Sequence, residues 1–67
     1  MPDLEALAQK VRATLKTELD YHQWKTNGAI RTVITCNVIE ANPEYHNISS
    51  NQIGEVIFRV DELVAKY

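Results

Sequence analysis

Cysteine, glycine, proline and phenylalanine are all scarce in this chain: one Cys, two Gly, two Pro and one Phe among 67 residues. A single thiol, Cys36, excludes an internal disulfide. The fold must then rest on its apolar core, and a chain of this size buries only about 60% of the surface its unfolded form exposes. Small cores of this kind often gain burial from association, so a homo-oligomer or a larger protein partner is expected. No apolar run approaches the roughly 20 residues that span a bilayer, and no basic region followed by an apolar run opens the chain. A cytoplasmic protein without a membrane partner is therefore expected. Cations are not in excess either, since 7 Lys and Arg face 9 Asp and Glu for a net charge of −2. Binding nucleic acid by bulk electrostatics needs clustered Lys and Arg, and here they are scattered.

The chain also lacks the strings that announce chemistry. It has no Gly-rich nucleophile elbow, no phosphate loop and no recognisable metal-binding spacing. Glu18 and His22 stand four apart, yet His46 is the only other histidine, and two ligands do not make a zinc site. The simpler reading is a helix end leaving the core with His22 paired to Glu18. A metal or redox sensor built on Glu18, His22 and Cys36 is the minor alternative. Cys36 lies among Val33, Ile34, Val38 and Ile39, where a thiol behaves as a small buried hydrophobe. No catalytic residue, metal, cofactor or small-molecule substrate is expected, and the protein reads as a non-enzyme.

What the chain does have is a strongly marked last third. Ser49 with Gln52 three residues later forms a capping box, and Ile48 with Ile53 forms the matching hydrophobic staple. From there Ile53, Val56, Ile57, Val60, Leu63, Val64 and Tyr67 recur at helical spacing on one face, which predicts a helix over about 50–66. Phe58 falls almost opposite that stripe, flanked by Gly54 and Ala65. Glu55, Arg59, Glu62 and Lys66 run between the two apolar faces, with Glu55–Arg59 and Glu62–Lys66 at the favourable i,i+4 order.

Asp3 caps a first helix read over about 3–24, with Leu4, Leu7, Ala8, Val11 and Leu15 as its apolar stripe and Lys16–Asp20 as an i,i+4 pair. Asn27-Gly28 breaks it. Residues 29–41 are rich in β-branched side chains, which by propensity suit a strand. Their apolar positions nevertheless cluster better on a helix, and a lone strand would need a second protomer to pair with. A buried helix is the preferred reading, and a strand pairing in a dimer the alternative. Asn42-Pro43 ends this segment, and Tyr45 and His46 follow in an exposed loop. The expected fold is all-α: one small domain, residues 1–67, of three helices.

The run from Val33 to Glu44, with Asn42-Pro43 near its end, followed by Ile48 to Ile57 with its Ser cap, resembles the first two helices of helix-turn-helix and winged-helix regulators. Membership in that class implies a DNA-binding transcriptional regulator with Arg59, Arg31 or Lys25 near phosphates. The chain departs from the pattern where a recognition helix should follow, because Phe58 to Asp61 offers no break. The first reading is therefore a protein-binding module, acting by dimerisation or by docking on a larger protein, as a regulator or inhibitor. Phe58, Gly54 and Ala65 form its contact face, with Tyr21, Trp24 and Tyr45 as rim aromatics.

Overall fold

A computed structural model describes residues 2–66, and these form four α-helices and no strand. In chain order they are α1 (Leu4–Ala13), α2 (Glu18–Thr26), α3 (Gly28–Ala41), a short 3-10 turn (Pro43–Tyr45) and α4 (Ser50–Ala65). The single first helix expected over 3–24 is thus two helices. The break lies at Thr14 to Thr17, and its cause is a second capping box: Asp20 N–H donates to Thr17 Oγ1 at 3.1 Å, and Thr17 N–H donates to Asp20 Oδ2 at 3.2 Å. Lys16 N–H adds a further bond to the same carboxylate oxygen at 3.0 Å. Asp20 therefore serves the backbone of Lys16 rather than its ammonium group. Those backbone N–H donors, Lys16 first and Thr17 second, hold the Asp20 carboxyl below its ordinary pKa.

Only Asn27 separates α2 from α3, and it closes one helix while opening the next. Its N–H reaches the Gln23 carbonyl, and its Oδ1 accepts from Ala29 N and Ile30 N at 3.0 and 3.3 Å. This cap draws the β-branched segment into a helix despite its strand propensity. Two of its threonines turn their hydroxyls back onto the preceding turn, Thr35 onto the Arg31 carbonyl at 2.8 Å and Thr32 onto the Gly28 carbonyl at 3.4 Å. In this geometry the hydroxyl of a buried threonine finds an acceptor within its own helix, and Thr35 is fully buried. Arg31 locks the corner from the other side, Nε donating to the Trp24 carbonyl at 2.6 Å and Nη2 to the Lys25 carbonyl at 3.0 Å. Both carbonyls belong to the last turn of α2, where helical acceptors lack intrahelical donors.

The core forms where α1 lies along α4 and α3 packs across both. Leu7, Ala8 and Val11 of α1 join Val56, Val60 and Val64 of α4, with Leu15, Tyr21, Trp24, Val38 and Tyr45 completing the cluster. Each fully buried Val or Leu contributes about 1.5–3 kcal/mol of apolar burial, so α4 is held chiefly by its three valines. The capping box at Ser49 and Gln52 is present as read, with bonds of 2.8 and 3.2 Å. The helix itself stops at Ala65, one residue short of the expected end. Tyr67, assigned to the core stripe, lies outside the described residues.

Three aromatics expected at an exposed rim are buried instead. Trp24 is fully covered, and Tyr21 and Tyr45 keep 6% and 5% of their exposure, which takes all three off the surface. For Tyr45 the reason is local. Pro43 starts a 3-10 turn closed by His46 N–H on the Pro43 carbonyl at 3.1 Å, and the His46 ring lies 3.1 Å from the Glu40 carbonyl through Nε2, folding the turn onto α3. Cys36, expected in the core, is exposed, because Thr35 and Val38 take the inward face of α3.

Candidate interaction surface

The outward side of α4 follows from its inward side. With Val56, Val60 and Val64 buried, 100° per residue carries Phe58, Gly54 and Ala65 to the far face, and the phenyl ring there is 62% exposed. All three proposed contact residues are at the surface. A β-carbon added at Gly54 would meet nothing within 4 Å, so no packing inside the chain demands a glycine there. A glycine in a helix interior costs roughly 0.5–1 kcal/mol relative to alanine. Gly54→Ala is accordingly expected to raise the urea midpoint by an amount equivalent to about 0.5–1 kcal/mol; an unchanged or lowered midpoint would show that the position is constrained within the subunit.

Beside this face runs the charged strip. Arg59 Nη2 meets Glu55 Oε1 at 3.2 Å, and Arg59 Nη1 reaches across to Glu5 Oε2 of α1 at 2.9 Å. These two carboxylates, Glu5 first, raise the guanidinium pKa further above its ordinary value. The same bridge ties the start of α1 to the middle of α4. Glu62 and Lys66, expected to pair, make no ion pair with any described residue. A shallow depression between Glu5, Arg59, Phe58 and Leu63 continues the surface toward α1.

The remaining cations of the DNA-binding alternative are dispersed. Arg31 is spent on the α2 carbonyls, while Lys25 stands exposed beside the Trp24 corner. There Trp24 Nε1 donates to Asp61 Oδ1 at 2.6 Å. This bond, between residues 37 apart in the chain, joins α2 to the flank of α4 and satisfies the indole N–H. Nothing in the local pattern around either residue announced it.

No protein-family model, no curated protein and no solved structure matches this chain. What the surface can do must therefore be read from its own side chains.

Chemically, the surface offers apolar contact and fixed charge. Among the described residues no three His, Cys, Asp or Glu side chains converge as a metal site. No hydrogen bond or ion pair joins Glu18 to His22 among them, and with Leu19 62% exposed while Tyr21 is buried, the Glu18–His22 face of α2 points away from the core. A second apolar feature is a groove between α1 and α3, with Leu15, Ile34, Val38 and Ala41 on its walls and Lys10 and Asp20 at its edges. Lys10 Nζ donates to Asn42 Oδ1 at 3.1 Å, and both residues line that groove. No helix among the described residues is long and apolar enough to cross a membrane.

Proposed function

We propose that this chain is a non-enzymatic helical interaction module of the cytoplasm, which acts by docking the outer face of α4 on a protein surface and so regulates or inhibits what it binds. One observation carries the reading: the chain's only phenylalanine is held out at 62% exposure, on a helix whose opposite face buries Val56, Val60 and Val64 in the core. A large aromatic presented on an ordered scaffold gives contact area at little further entropic cost, the property of residues that dominate protein interfaces. Gly54 and Ala65 beside it leave the helix backbone approachable.

The cations weigh for a protein partner over a nucleic acid. Arg31 and Arg59 both donate to groups of their own chain, and α4 carries Glu55 and Glu62 on the strip beside Phe58. Phosphate binding at such a face would bring like charges together. Phe58→Asp is expected to leave the far-UV circular dichroism spectrum unchanged and to lose at most about 1 kcal/mol from the new like charges near Glu55 and Glu62. Association, read by size exclusion with light scattering and by capture of partners on immobilised protein, should disappear. Unchanged association would remove the face from consideration, and a salt-sensitive duplex affinity that survives Phe58→Asp would favour the nucleic-acid reading instead.

A further inference from the structure

Along one side of α4 the charged residues Glu55, Arg59, Glu62 and Lys66 follow at steps of four, three and four. Their signs alternate: negative, positive, negative, positive. Reading the strip backwards inverts every sign. Two copies of such a strip laid side by side in parallel register would set like on like at all four positions. Laid antiparallel about a dyad between Val60 and Asp61, they set Glu55 against Lys66, Arg59 against Glu62, and the same two pairs again by symmetry.

From this self-complementarity we infer that the occupant of the α4 outer face is a second copy of this chain, packed antiparallel, α4 against α4. The inference rests on the docking reading of that face given above and adds the partner's identity. At 1.5 Å of rise per residue, the same dyad brings Phe58 level with the span between Glu62 and Ala65 of the second copy. Ala65 offers only a methyl group there, so the ring has room to lie on the opposing helix. The two phenyl rings then flank the dyad, roughly 7–8 Å apart along the helix axis, as paired anchors of an isologous interface.

The free subunit is consistent with this arrangement. Phe58 is exposed, and Glu62 and Lys66, half of the charges that would pair across the dyad, make no ion pair with any described residue. Arg59 is fixed from below by Glu5 and Glu55 while 38% of its side chain stays exposed, so it meets Glu62 of the second copy already oriented. One helix pair buries less than the roughly 1,600 Å² of a standard interface. The dimer is therefore expected to be weak, with a Kd on the order of 10–100 µM at low ionic strength, and to loosen as salt screens the four pairs.

Sedimentation equilibrium across about 5–500 µM tests this directly. Wild-type protein should fit a monomer–dimer equilibrium. Lys66→Glu, which sets two glutamates against each other at both ends, should weaken it about tenfold; Glu55→Lys, which also removes the Glu55–Arg59 pair, should weaken it at least as much, and the double variant should bind more tightly than either single. Positions 55 and 66 are roughly 16 Å apart along one helix, so neither can rescue the other within a subunit. A wild type that stays monomeric, or a double variant no better than either single, overturns the second copy as occupant. If the monomeric protein still captures a different partner through Phe58, the docking face stands and only the identity of its occupant falls; if Phe58→Asp alters no capture, both fall.

Discussion

Trp24→Ala is expected to abolish cooperative folding at 37 °C. The indole is the largest fully buried side chain in the molecule, and truncating a buried Trp to Ala removes about 3–5 kcal/mol. A domain of this length has in total roughly 3–10 kcal/mol of stability, taking 0.05–0.15 kcal/mol per residue. The substitution also deprives Asp61 of the 2.6 Å bond from Nε1, leaving a half-buried carboxylate with one donor fewer. Thermal and urea unfolding followed by circular dichroism should show a lost or broadened transition. Trp24→Phe keeps most of the ring but not the donor, and should retain a cooperative transition at a lower midpoint. A sharp wild-type-like transition in Trp24→Ala would mean that α2 is not integral to the core.

The second large effect is expected at Val60→Asp. Val60 is fully buried within α4, and among the described residues the one buried polar side chain is Thr35, so no buried cation stands ready to pair with a carboxylate there. A buried carboxylate without a partner either ionises at a cost of several kcal/mol or takes up a proton, its pKa pushed upward. The variant should be largely unfolded at neutral pH and should partly recover helicity as pH falls toward the raised pKa, since protonation removes the charge. Phe58→Asp introduces the same group two residues away and is expected to fold. The pair of substitutions thus reads out the two sides of one helix, and equal stability of the two proteins would contradict the assignment of an inner and an outer face.

How far the chain could be read in advance depended on the range of the interactions concerned. The start of α4, the three valines of its inner stripe and the outward position of Phe58 follow from capping residues and periodicity within a few turns, and these appear in the structure as read. The break between α1 and α2 was also written locally, in Thr17 and Asp20, but Asp20 admits a second reading as the i,i+4 partner of Lys16 on one continuous helix. In the structure the backbone N–H groups of Lys16 and Thr17 take the carboxylate, and that competition between side chain and backbone decides the topology.

The misplaced aromatics have a different cause. Tyr21 and Trp24 sit on a helix of nine residues whose polar and apolar positions are poorly separated, so periodicity gives little guidance to their burial. Their burial depends instead on α2 folding back at Asn27 and on a hydrogen bond from Trp24 to a residue 37 positions away. Tyr45 is buried by a turn whose closure depends on His46 reaching the end of α3. Cys36 is the converse case: a run of apolar neighbours in sequence says little about exposure when a helix shows the core only one of its sides. Of the six residues read as a contact face, Phe58, Gly54 and Ala65 lie at the surface and Tyr21, Trp24 and Tyr45 lie in the core.

The docking role of the outer face of α4 is tested most directly by placing a photo-reactive phenylalanine analogue at position 58 and, in a separate protein, at position 33, where Val33 is also a large exposed apolar residue, at 56%. After irradiation of each protein at matched concentration, alone and in lysate, intact-mass and peptide mass spectrometry locate the adducts. The expected result is a specific adduct from position 58, lost on dilution or on addition of unlabelled protein, and none of comparable yield from position 33. Adducts from position 33 alone, or equal non-specific labelling from both, would contradict the assignment of the docking surface to α4.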